Sequence, residues 1–254
     1  MKVAHNARAG APVPNWVLVY GTAITLAEIA LAVVNVPVGA LMHMMILVGL
    51  AAHTAFSRTP KDPQLPVLLL LPLLRLLSLV MPIAEVPLPY WYLLTSVPAL
   101  LAVVLVVRAM ELPWTRIGLG RPRSAAITVV SAATGIPVGL LLGGIVGSEL
   151  RIQVEGVSIL LALVILVIVA VLEELIFRGL LAYVTSVRAP NLVLLVPNAL
   201  YAAMYLSAGD GVTALLMGGT GVLFSAFRAG GGSLWGVMVA HLLMRVVLQV
   251  DAGP

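Results

Sequence analysis

Residues 159–179 read Ile-Leu-Leu-Ala-Leu-Val-Ile-Leu-Val-Ile-Val-Ala-Val-Leu-Glu-Glu-Leu-Ile-Phe-Arg-Gly. Every side chain from Ile159 to Leu172 is apolar. A bilayer-spanning helix needs about 20 such residues, and the run extends over 157–184 with few polar interruptions. The charged ones are Glu173, Glu174 and Arg178. Each ionised side chain near mid-bilayer costs roughly 2.5–3.5 kcal/mol on the insertion scale. The stretch therefore predicts a membrane span with three charges that need a specific reason to be there.

The rest of the chain agrees. Of 254 residues, 61% are hydrophobic and 9% charged, against about 25% charged in an ordinary soluble domain. Mean hydropathy is +1.13. The 14 basic and 10 acidic residues cannot clothe a soluble domain of this length. A soluble enzyme, a disordered chain and a disulfide scaffold are excluded, the last because the chain has no cysteine. The sequence pI near 9.8 comes mainly from arginines at helix ends, with no aromatic-interleaved basic run. No nucleic-acid partner is expected; the lipid bilayer is.

Apolar runs bounded by Pro, Gly or charge predict an all-α polytopic membrane protein of eight to nine spans. They lie near 16–34, 38–56, 65–84, 91–107, 124–147, 157–184, 192–206, 211–227 and 233–250. The seventh is short. Glu28 inside the first run argues for a membrane anchor and against a cleaved signal peptide. Basic segments alternate with neutral or acidic ones, from Lys2 and Arg8 through Arg58 and Lys61 to Arg108, Arg116, Arg121 and Arg123. The positive-inside rule then puts the N-terminus in the cytoplasm, and the C-terminus outside if nine spans cross. Residues 1–107 form four N-terminal spans, 108–123 a polar amphipathic connector on the cytoplasmic face, and 124–254 a C-terminal bundle.

At 100° per residue, Glu174 and Arg178 share one helix face and can pair, while Glu173 points about 140° away from Arg178. One carboxylate is neutralised locally; the other is left in a low-dielectric setting where a general base can be made. His241 lies in the last span with Arg245 one turn further on. The alternative is a purely structural knot, since Glu173 and Glu174 balance Arg178 and Arg245 in charge.

These residues resemble the CAAX protease and bacteriocin-processing (CPBP) family of intramembrane proteases, also called Abi, which includes the Ras-converting enzyme. The carriers are Glu173-Glu174-x-x-x-Arg178, the Gly-rich turn before Ser233-Leu234-Trp235, and the His241 helix. Arg116-Ile117-Gly118-Leu119-Gly120-Arg121 is similar to the segment that often precedes the family core. The similarity covers about 108–250, most firmly 170–245, and implies a CPBP-like core within 124–254.

The resemblance implies that Glu173 activates water, that Glu174 and Arg178 support it, and that His241 is the third-motif histidine. Three positions in two motifs depart from the pattern. The family's Phe-x-x-x-His falls on Tyr201-Ala-Ala-Met-Tyr205, and its third motif ends here in Arg245 in place of Asn. A phenol does not titrate near neutral pH, so Tyr205 can serve as an oxyanion donor and not as a proton carrier. A short seventh span places Tyr205 near its outer end, away from Glu173, with Tyr201 or Asn198 closer. A fixed cation at Arg245 makes a neighbouring carboxylate a weaker base, or itself clamps an oxyanion.

No cofactor and no metal are expected: there is one candidate histidine, no cysteine and an adjacent arginine. Two functions follow. The first is an intramembrane endopeptidase in the plasma (inner) membrane, cutting a membrane-associated peptide or protein from the cytoplasmic side. The alternative is a catalytically inactive relative, a possible pseudoenzyme, acting as scaffold for a membrane-protein partner. Gly135, Gly139, Gly143, Gly144 and Gly147 offer close helix approach, to a partner or within the bundle. A transporter is disfavoured by the lack of an inverted repeat.

Overall fold

The computed structural model describes residues 15–57, 62–80, 86–152, 156–207, 210–231 and 233–250, without the side chains of Val80, Ser148 and Glu149. Lys2, Arg8, Arg58 and Lys61, used above to weigh the loops, lie outside the described residues, as do the acidic loop residues Glu85, Glu155 and Asp251.

The described residues are helical, with no strand among them. In order come α1 (Trp16–Val33), α2 (Val36–Phe56), α3 (Gln64–Val80), α4 (Leu88–Ala109), α5 (Ala125–Val146), α6 (Ile159–Glu174), α7 (Ala182–Arg188), α8 (Val196–Tyr205), α9 (Gly211–Gly231) and α10 (Trp235–Val250). α6 continues through a π-helical stretch, Leu175–Leu181, into α7, one 30-residue rod. Among the described residues six helices are long and apolar enough to cross a membrane, and Gln64–Leu79 and Trp235–Val250 are shorter apolar helices. The chain is an integral membrane protein.

The packing is that of a lipid-facing molecule. Val33, Phe56, Ile159 and Leu215 are exposed, whereas Glu28, Glu174, Arg178 and His241 are buried completely. Apolar surface outside and charges inside suit a solvent of hydrocarbon, where a lone exposed charge has no partner. Pro72, Pro98 and Pro137 sit inside helices, which neighbouring helices tolerate in a bilayer. Side-chain caps start several helices: Asn35 accepts from Val38 N–H, Ser124 from Ile127, Ser158 from Leu161, and Asp210 from Thr213.

The glycine stripe on α5 resolves into two halves. A Cβ on Gly135 would collide with the Ala240 backbone, and one on Gly139 would meet Val247 and Met244 O of α10. Gly144 and Gly147 have open space around them. From the other side, a Cβ on Gly236 of α10 would fall 2.7 Å from Thr128 O of α5. The contacts run in the same order along both chains, so α5 and α10 are parallel, and the closest approach is internal packing.

The seventh expected span is a ten-residue helix, α8, preceded by a short 3-10 turn at Pro190–Leu192. It lies between α1, where Gly21 meets Leu200, and α9, where Gly218 meets Ala202. Such a short helix is marginal alone and is held by its neighbours.

The segment between α4 and α5 is anchored at both ends. Gly118 adopts φ 100, a left-handed conformation that suits glycine, and its carbonyl accepts from Leu234 N–H at 2.7 Å. Arg123 N–H donates to Gly231 O at 2.9 Å. Ile117 is fully buried beneath the π-helical stretch, where Gly179 leaves room for the Ile117 carbonyl. The segment is amphipathic, with Trp114, Thr115 and Arg116 exposed.

Candidate active site

The sequence-derived residues Glu173, Glu174, Arg178, Tyr201, Tyr205, His241 and Arg245 converge on one polar cluster inside the helices. α6 supplies the two consecutive glutamates, the π-helical stretch supplies Arg178, α8 the two tyrosines, and α10 His241 and Arg245. π-Helical turns recur at functional sites; here the whole stretch, Arg178 included, is buried.

The two carboxylates have separate company. Glu174 accepts from Arg178 Nη1 at 3.2 Å and faces His241 Nδ1 at 2.8 Å. Glu173 accepts from the Tyr201 hydroxyl at 2.9 Å, the Tyr205 hydroxyl at 3.1 Å and Arg245 Nη2 at 3.2 Å. His241 Nε2 is 3.5 Å from Glu173. The imidazole thus stands between the two acids, with Glu174 as its closer partner.

That arrangement selects a tautomer. Glu174 is an acceptor, so Nδ1 carries the proton; Nε2 then presents its lone pair and accepts from Arg245 Nε at 3.3 Å. A carboxylate behind a histidine fixes both ring orientation and the position of its basic nitrogen. Arg245 is held further by the Leu150 carbonyl at 3.1 Å and the Tyr205 hydroxyl. Arg178 lies over the Tyr201 ring, 4.0 Å from its centroid, a cation–π contact. A Cβ on Gly221 would fall 2.6 Å from Asn198 Oδ1 and press on Arg178 Nη2, so glycine keeps space for the guanidinium.

Two expectations are corrected by this geometry. Tyr205 reaches Glu173 directly, because α8 ends beside the glutamate and its last turn leans on Tyr201, edge to face at 5.2 Å. Asn198 is not closer: its amide bonds the Leu194 carbonyl and Ser225. His43 and His53 stand elsewhere. His43 Nε2 approaches Glu28 to 3.3 Å, and His53 bonds the Tyr20 hydroxyl.

Glu173 borders a cavity of about 420 Å³. Tyr201, Tyr205 and Arg245 share its wall, which is otherwise largely apolar. The Glu173 side chain retains 16% exposure, while Glu174 and Arg178 have none. The sequence reading did not put Arg75 of α3 here, yet it lines the same cavity. Its guanidinium grips Glu28 of α1 at 2.7 and 2.6 Å and donates to the Met204 carbonyl at the end of α8. Both residues are charges inside apolar runs, the only signal that marked them. Among the described residues no group of three or more His, Cys, Asp and Glu is placed to hold a metal ion.

Residues 155–247 match a family model described as type II CAAX prenyl endopeptidase Rce1-like. The match takes in both glutamates, both tyrosines, His241 and Arg245, and is consistent with a membrane protease of the CPBP family. No curated protein and no solved structure matches the chain.

Proposed function

We propose that the chain is an intramembrane endopeptidase of the CAAX-protease type, with Glu173 activating water against a peptide bond of a membrane-associated substrate. One observation carries the reading. Of two adjacent buried acids, Glu174 is sealed behind His241 and Arg178, and Glu173 alone opens onto a cavity large enough for a peptide segment.

In this reading Glu173 takes a proton from water as the water oxygen bonds to the carbonyl carbon. The Tyr205 hydroxyl and Arg245 turn toward the oxyanion that forms. The C–N bond then breaks, and the proton held by Glu173 passes to the leaving amine. His241 Nε2 stays within reach of the same proton, with Glu174 fixing the ring. General-base help of this kind is worth about 10²–10⁴-fold.

A second reading is favoured by a specific observation. Glu173 accepts from two phenols and a guanidinium, and it must release one of these bonds to bind water. A catalytically silent scaffold for a membrane partner fits that closed network. The double substitution Tyr205→His with Arg245→Asn separates the readings. If the residues work as they stand, hydrolysis of a lipid-anchored peptide falls in the double variant. If the site is a dormant protease, hydrolysis appears only there.

We further read 1–107 as four N-terminal spans, 108–123 as a cytoplasmic connector and 124–254 as the protease-like core. The chain sits in the plasma (inner) membrane with its N-terminus cytoplasmic, a reading supported by the arginine-rich connector.

A further inference from the structure

Backbone pairing sorts the loops onto two faces. Leu234 N–H on Gly118 O and Arg123 N–H on Gly231 O bring the α9–α10 turn to the α4–α5 connector. On that same face Arg188, at the end of α7, bonds Asp62 before α3 at 2.8 Å. The parallel course of α5 and α10 agrees with this assignment. α9 therefore starts at the opposite face, and the segment containing α8 carries the chain there from Arg188, short as the helix is. The α1–α2 turn, the ends of α3 and α5 and the starts of α4, α6 and α9 share that second face.

The charge on the two faces differs. Arg108, Arg116, Arg121, Arg123, Arg188 and Arg228 cluster toward the first. Arg151 is the arginine of the described loops on the second, alongside Asp210. Short loops rich in Lys and Arg are retained in the cytoplasm, so the first face is cytoplasmic.

The cavity belongs to the second face. Val36, Leu79, Trp91, Arg151, Ser207 and Thr213 line it, each at or near a helix end on that side. Toward the cytoplasm the way is closed. Phe177, Ile117 and Leu234 are buried there, and the π-helical stretch packs on the connector at Gly179.

We propose that the Glu173 cavity is reached from the extracytoplasmic side, and that its substrate is a membrane-anchored polypeptide presenting the scissile segment at the outer leaflet. This rests on the peptidase reading for the word substrate, but the direction of access stands on geometry and charge alone. It reverses the cytoplasmic approach expected from the sequence.

The natural absence of cysteine makes the test direct. Single variants Ser207→Cys and Val36→Cys, in the cavity wall, and Val212→Cys, in the first turn of α9 next to the lining residue Thr213, are compared with Thr115→Cys and Ser186→Cys on the opposite face. The full chain is labelled with a membrane-impermeant maleimide in right-side-out and in inside-out vesicles, with detergent-solubilised protein as the total. The first three label in right-side-out vesicles and lose labelling in inside-out ones; the last two do the reverse. Where Ser207→Cys does not insert, Val36→Cys and Val212→Cys decide. The opposite pattern, or labelling of both groups from both sides, overturns the proposal and leaves the peptidase reading intact. The expected pattern from a protein that hydrolyses no peptide leaves the access route standing and overturns the peptidase reading.

Discussion

His241 Nδ1 lies 2.8 Å from Glu174, while the nearer oxygen of Glu173 is 3.5 Å from the opposite ring nitrogen. One imidazole thus joins two consecutive acids that have different surroundings. Glu174 is a fully buried partner of Arg178 and His241; Glu173 faces the cavity.

The two glutamates should separate in a stability assay. Glu174→Gln removes the charge that compensates the buried Arg178. Leaving one ion of a buried pair alone costs roughly 3–5 kcal/mol. Glu173→Gln removes a charge beside Arg245 as well, but Arg245 keeps the Leu150 carbonyl and the Tyr205 hydroxyl, and the glutamine keeps an acceptor at a position that borders a cavity. Thermal unfolding in nanodiscs is expected to show a large fall for Glu174→Gln and a small one for Glu173→Gln. Equal falls would contradict the division.

Arg75 and Glu28 form a second buried pair, and Arg75 also caps the Met204 carbonyl. The last carbonyls of a helix have no partner within it. Arg75→Met leaves the Glu28 carboxylate with the His43 ring and the Ser207 hydroxyl but without its arginine, and frees the end of α8, again a loss of roughly 3–5 kcal/mol. The double variant Glu28→Met with Arg75→Met is expected to recover a large part of it. Unfolding midpoints of the two single variants and the double variant measure this directly.

Gly135→Ala drives a methyl into the Ala240 backbone, whereas Gly144→Ala meets nothing. Overpacking typically costs about 1–3 kcal/mol. The first variant should lower the unfolding midpoint. The second should leave it unchanged or raise it, since alanine favours helix over glycine. A silent Gly135→Ala would show that α5 and α10 are not held this closely.

Asp210 caps α9 from outside the membrane span. The hydrogen bond from the Thr213 backbone, 2.7 Å, holds its carboxyl below the usual carboxylate range. A depressed folded-state value means the cap contributes fully above the ordinary carboxylate range and is lost as pH falls through the lowered value. The Thr213 amide proton shift should stay constant from neutral pH down past the ordinary range and change only below it. Asp210→Ala should abolish that titration.

The membrane class and the pairing of Glu174 with Arg178 were legible because each depends on local quantities, run length and the helical period. The split between Glu173 and Glu174 was legible for the same reason. The place of Tyr205 was not. Reading 192–206 as a short crossing span set Tyr205 near its outer end, whereas a ten-residue helix ends beside Glu173. Helix length is set here by packing against α1 and α9, which no periodicity records. The end of the helix bundle at which the cavity lies was hidden too. It depends on backbone pairing between Gly118 and Leu234, residues more than a hundred positions apart.

The central claim is that Glu173 activates water for peptide hydrolysis. The most direct measurement is cleavage of a lipid-anchored peptide in nanodiscs, run in ¹⁸O-water, by the unmodified chain and by Glu173→Gln. The account predicts two fragments with ¹⁸O in the new carboxylate from the unmodified chain, and a loss of about a hundredfold or more in Glu173→Gln at unchanged helicity. Equal cleavage by both proteins would contradict it.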